Sequence, residues 1–137
     1  VILHVRKAHD QVLAALRRIR VAGGIAHAFN GSLQQAQQYI DLGFKLGFGG
    51  TLTYERSTKI RQLAHDVPLE AIVLETDAPD MVVSQHRGER NSPEYLPEIL
   101  AALVEVRQQD AASLAEQTTH NACEVLGIQN EALINDQ

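Results

Sequence analysis

Gly24-Ile25-Ala26-His27-Ala28-Phe29-Asn30-Gly31-Ser32 is the stretch on which the fold turns. A short apolar run leads to a histidine, Asn30-Gly31 supplies a turn, and Ser32 stands where a helix N-cap belongs. The next residues, Leu33, Ala36 and Ile40, recur at helical spacing, and Gly43 sits where a left-handed C-cap closes a helix. This is one strand-helix unit.

The same unit repeats on both sides. Upstream, Ile2-Leu3-His4-Val5-Arg6 reads as a strand, and Val12, Leu13, Leu16 and Ile19 mark one face of the following helix. Downstream, Phe44-Lys45-Leu46-Gly47-Phe48 is a third strand, followed by a helix carrying Ile60, Leu63 and Ala64. Asp66-Val67-Pro68 stops that helix before a fourth strand at Ala71 to Leu74. Strands alternating with helices imply an α/β chain with a parallel sheet and crossover helices. About four such units are half of a closed eight-stranded barrel. The chain begins at Val1, inside a strand, so the expectation is a fragment of a longer protein.

Beyond the fourth strand, residues 78 to 93 read as a long loop with Pro79, Gly88 and Pro93. Loops of that length are often functional. Leu96, Ile99, Leu100, Leu103 and Val106 then form an amphipathic helix. Leu114, Thr118, Ala122 and Val125 form a last one that closes at Gly127. The expected organisation is a partial barrel over residues 1–128 and a polar tail over 129–137.

The 137 residues carry a formal charge of -5. There is no global basic field for nucleic acid, so a polyanion must be met by a local patch or by metal ions. The single cysteine, Cys123, cannot form an internal disulfide; it fits a reducing, cytoplasmic setting and a packed helix position. No long apolar stretch signals a membrane span.

His4, His27 and Asp77 each stand at the exit of an apolar run. In parallel strands of one barrel, such residues gather at the carboxyl-end face, where barrel enzymes place their chemistry. Strand side chains alternate, so Ile2, His4 and Arg6 share one side, as do Ile25 and His27, and Val73, Glu75 and Asp77. Neutral imidazole and carboxylate together suit a divalent ion, and a two-ion site activates water while stabilising a phosphoester's leaving oxygen. Three ligands alone leave such a site half built. In the pair Glu75 and Asp77, Glu75 is assigned as a satisfied polar core residue and Asp77 as the reactive one at the rim.

Arg6, beside His4, is the first candidate for contact with a substrate phosphate, ahead of Lys7, Arg87 and Arg90. His9, His65, His86 and His120 lack a strand-end setting and read as structural or surface residues. Gly47-Phe48-Gly49-Gly50 departs from the dinucleotide pattern at Leu52, so these glycines read as sites of close backbone approach or sharp turning.

Several ordered blocks resemble a known family. Val1-Ile2-Leu3-His4-Val5-Arg6-Lys7-Ala8-His9-Asp10 is similar to the TatD family's His-x-Arg-x-Ala-x-Asp segment. Leu74-Glu75-Thr76-Asp77-Ala78-Pro79 resembles its Glu-Thr-Asp-x-Pro block, and His27-Ala28-Phe29-Asn30-Gly31 its His-x-Phe-[Ser/Asn]-Gly turn. Asn91-Ser92-Pro93-Glu94 and Asn121 also resemble family positions. The resemblance runs to about Gly127. It implies the C-terminal half of a TIM-type barrel and a metal-dependent deoxyribonuclease using two divalent ions, magnesium, manganese or zinc. His4 and His27 would bind one ion and Asp77 the other, with Asp77 also orienting or deprotonating the attacking water. The family's early His-x-His pair and bridging glutamate would lie upstream of Val1. The expected partners are DNA and either a missing N-terminal half or a second copy of the chain. The alternatives are an amidohydrolase or lactonase of the wider metal-barrel group, and a non-catalytic barrel module.

Overall fold

A computed structural model describes residues 1–128. The tail expected over 129–137 lies outside the described residues. Four parallel strands form one sheet in sequence order: β1 (Ile2–His4), β2 (Gly24–His27), β3 (Phe44–Phe48) and β4 (Ile72–Leu74). They alternate with α1 (His9–Arg18), α2 (Leu33–Asp41) and α3 (Thr58–Asp66), and α4 (Leu96–Arg107) and α5 (Ala111–Leu126) follow. This is the α/β arrangement of part of a TIM-type barrel. Among the described residues no helix is long and apolar enough to cross a membrane.

The sheet's two faces differ. Ala26 of β2, Phe44, Leu46 and Phe48 of β3, and Ile72 of β4 are buried in the main core with Leu13, Ala36, Tyr39, Leu63, Ile99 and Leu103 from the helices. The opposite face carries Ile2, His4, Ile25, His27, Lys45, Gly47 and Val73. There Ile2 is 66% exposed. That is the face a closed barrel turns to its interior.

Helix boundaries follow local chemistry. Ser32 caps α2 in a reciprocal box: its hydroxyl accepts from the Gln35 amide, and the Gln35 side chain accepts from the Ser32 amide. Arg107 donates to the carbonyls of Ala64, His65 and Val67, supplying the end of α3 with the cation its orphan carbonyls favour. Asn121, buried in α5, donates to Leu69 O and Ile72 O, each at 2.8 Å, and so ties α5 to the root of β4.

Two packing expectations are corrected. Ile19 lies one residue beyond α1 and is 71% exposed, because the helix ends at Arg18 and the chain there turns extended. Leu33 is also exposed, and the buried stripe of α2 is Ala36 and Tyr39. Tyr39 displaces the expected pattern because its hydroxyl finds a partner in buried His9, at 3.0 Å from Nδ1, while His9 Nε2 meets Asn30 Oδ1 at 3.0 Å. His9 is thus a structural residue of the core.

Candidate metal centre

His4 and His27 are register partners on adjacent strands. Parallel pairing places the two rings side by side at the carboxyl end of the sheet, with His4 Nδ1 2.7 Å from His27 Nε2. One of these two nitrogens donates to the other, and a pair of imidazoles at one strand edge offers donors of the kind a divalent transition ion takes.

Continuing the β2–β3 register by one residue sets Gly47 beside His27, and Gly47 pairs in turn with Val73. The row across the sheet is therefore His4, His27, Gly47, Val73. Glu75 lies beyond the end of β4, where its amide still extends the ladder by donating to Phe48 O at 3.0 Å. Its side chain reaches back over Gly47 toward β2: Oε1 accepts from the Ala28 amide at 2.5 Å and lies 3.4 Å from His27 Nδ1. A Cβ on Gly47 would stand 2.0 Å from Glu75 Oε2, so the absent side chain is what makes room. Burial pushes the Glu75 carboxyl above its ordinary value, and the negative charge of Asp77 adds to that rise. The Ala28 amide and His27 oppose it.

Asp77 occupies the exit loop of β4. Asn91 builds that loop: its side-chain amide donates to Thr76 O and Asp80 O at 2.6 Å and to Met81 O at 3.3 Å, and its backbone amide donates to Pro79 O. The strand alternation used to orient Asp77 does not reach it, because β4 ends at Leu74 and Asp77 has φ +55°. The same holds for Arg6. β1 ends at His4, and Arg6 is exposed in the bend that leads through Lys7, at φ +54°, into α1. Ala28, directly after His27, has φ +48°. Left-handed backbone in non-glycine residues is costly, and here it follows the ends of β1, β2 and β4, the edge that carries the candidate ligands.

The structure thus brings His4, His27 and Glu75 together and sets Asp77 at the adjoining rim. Among the described residues no group of three His, Cys, Asp or Glu side chains is close enough to enclose an ion. The other histidines are engaged elsewhere: His65 with Asp66 at 2.8 Å, His86 with Glu89 at 2.6 Å, and His120 with Glu124 at 3.5 Å. What the sequence missed is the contact of Glu75 with the His27 side of the sheet. Its signals were the two-residue spacing to Asp77 and the lone glycine inside β3.

Comparisons with known proteins agree with this architecture. Residues 1–127 match the family described as TatD related DNase. An uncharacterized metal-dependent hydrolase of Haemophilus influenzae is 45% identical over 90% of this chain and 47% of its own length. The 3'-5' ssDNA/RNA exonuclease TatD of Klebsiella pneumoniae is 36% identical over 93% of this chain and 51% of its own. The crystal structure of YjjV, a TatD homologue from Escherichia coli, superposes with a TM-score of 0.86 at 39% identity, covering 94% of this chain and 50% of that one. This chain therefore spans about half the length of the relatives it matches. From a family match that runs through all four strands and both terminal helices, the chain belongs to the TatD family.

Proposed function

We propose that this sheet is part of a metal-dependent phosphodiesterase that hydrolyses single-stranded nucleic acid, DNA foremost. The observation that carries the reading is the His4–His27 pair, two ring nitrogens 2.7 Å apart at the carboxyl end of adjacent parallel strands. The name of the Klebsiella relative, an exonuclease on single-stranded DNA and RNA, supports the substrate class.

In this reading His4 and His27 would hold one divalent ion, and Asp77 would hold a second and take the proton of the attacking water. When bound, such ions would supply Lewis acidity for phosphoester hydrolysis. Arg6, exposed beside β1, contacts a substrate phosphate. Further ligands come from outside this chain.

The test is cleavage of end-labelled single-stranded DNA with magnesium or manganese, by this chain and by a version extended through the upstream half. Activity in the extended form, lost by at least about a hundredfold in Asp77→Asn with an unchanged circular-dichroism spectrum, is expected for a residue acting directly on the reacting water. Wild-type turnover in Asp77→Asn would remove Asp77 from its role. Turnover of amide or lactone substrates without DNA cleavage would replace the nuclease reading with the amidohydrolase or lactonase one.

A further inference from the structure

We propose that Glu75 is a positioning residue that holds the His27 imidazole with its proton on Nδ1 and its Nε2 lone pair turned to the ion; this rests on the metal-site reading above.

The geometry distinguishes the two ring nitrogens of His27. Nδ1 faces the Glu75 carboxylate at 3.4 Å, and Nε2 faces His4 Nδ1 at 2.7 Å. A carboxylate only accepts, so the nitrogen beside it is favoured as the one that carries hydrogen. Nε2 is then the unprotonated nitrogen, and in the metal-free chain it accepts from His4 Nδ1–H. A 3.4 Å contact is loose, and such contacts commonly tighten when a site is filled.

The carboxylate cannot swing away freely. Its Oε1 is anchored by the Ala28 amide, the residue directly after His27, so backbone and ring of β2's exit are referred to one oxygen. Its Oε2 lies in the space left by Gly47. Glu75 is on β4's exit and His27 on β2's, so the contact spans the intervening strand β3. A residue serving only to satisfy the core would need the Ala28 contact alone. The approach to Nδ1 is the additional feature, and carboxylate–histidine pairs of this kind fix tautomer and ring orientation at metal sites.

The experiment is ¹⁵N NMR of the imidazole rings in the metal-free chain, with Zn²⁺ titrated afterwards by calorimetry, for wild type, Glu75→Gln and Glu75→Ala. Wild type is expected to show His27 protonated on Nδ1. Glu75→Ala is expected to shift the population toward the Nε2–H form and to weaken Zn²⁺ binding about 10–100-fold. Glu75→Gln, which keeps an acceptor oxygen, is expected to fall between them and also serves if the alanine variant does not fold. An Nε2–H tautomer in wild type would overturn the assignment, as would wild-type tautomer and affinity in the folded variants. Wild type that shows the Nδ1–H form but binds no Zn²⁺ would support the positioning contact and count against the metal-site reading instead.

Discussion

Gly47 and Glu75 exclude one another's alternatives: a methyl group on Gly47 would lie 2.0 Å from Glu75 Oε2 and 2.8 Å from its Cδ. One strand's missing side chain is the channel through which its neighbour's carboxylate reaches the strand beyond. The Ala28 amide donates to that carboxylate, and the chain turns left-handed at Ala28 as it leaves β2. Three strand ends are thereby tied into one unit beneath the two histidines.

Gly47→Ala is therefore expected to expel Glu75 or push β3 outward, at a cost of about 1–3 kcal/mol, the usual range for forced overpacking. Urea denaturation measures it. In the background of Glu75→Ala, which removes the clashing carboxylate, the same substitution should cost clearly less, since residues in contact are not additive. Equal costs in both backgrounds would show that the clash is relieved some other way.

Asn91→Ala should loosen the loop that carries Asp77. The side chain donates to Thr76 O, Asp80 O and Met81 O and accepts from the Ser92 amide at 2.9 Å, so its loss strands several acceptors in a partly buried site. A loss of about 1–3 kcal/mol is expected from unpaired buried groups. Hydrogen exchange gives the local readout: the amides of Asp80 and Ser92 should exchange faster, with the α2 amides little changed. Unaltered exchange at Asp80 would mean that the loop is held by other contacts.

Among the described residues the sheet has β1 and β4 at its two edges, each paired on one side only, and its inner face presents Ile2. Unpaired parallel edges beside apolar surface template association. Sedimentation velocity of this chain alone should show concentration-dependent association. A compact monomer with one cooperative unfolding transition across the same concentrations would contradict this.

The alternation of short apolar runs and helical stripes made the four strands and five α-helices of the described residues legible, because burial against a sheet imposes a period near 3.6 on a helix and near 2 on a strand. Strand β3, expected at Phe44 to Phe48, lies at those residues. Periodicity failed at the ends of elements. Ile19 fits the stripe of α1 and yet lies past its last turn, and Leu33 fits α2 but leaves the buried place to Tyr39. Arg6 and Asp77 were oriented by extrapolating strand alternation beyond His4 and Leu74, where β1 and β4 end: Arg6 lies in a bend and Asp77 has left-handed backbone.

The sequence by itself determined the order of elements, the parallel sheet, and the placing of His4 and His27 at strand exits, since each of these follows from local periodicity and turn chemistry. Only the tertiary structure decided that the two rings meet at 2.7 Å and that Glu75 crosses β3 to reach His27 and Ala28. Those contacts depend on the register between strands that lie 20 or more residues apart in the chain. Register is set by packing over the whole sheet, which no local stretch of residues encodes.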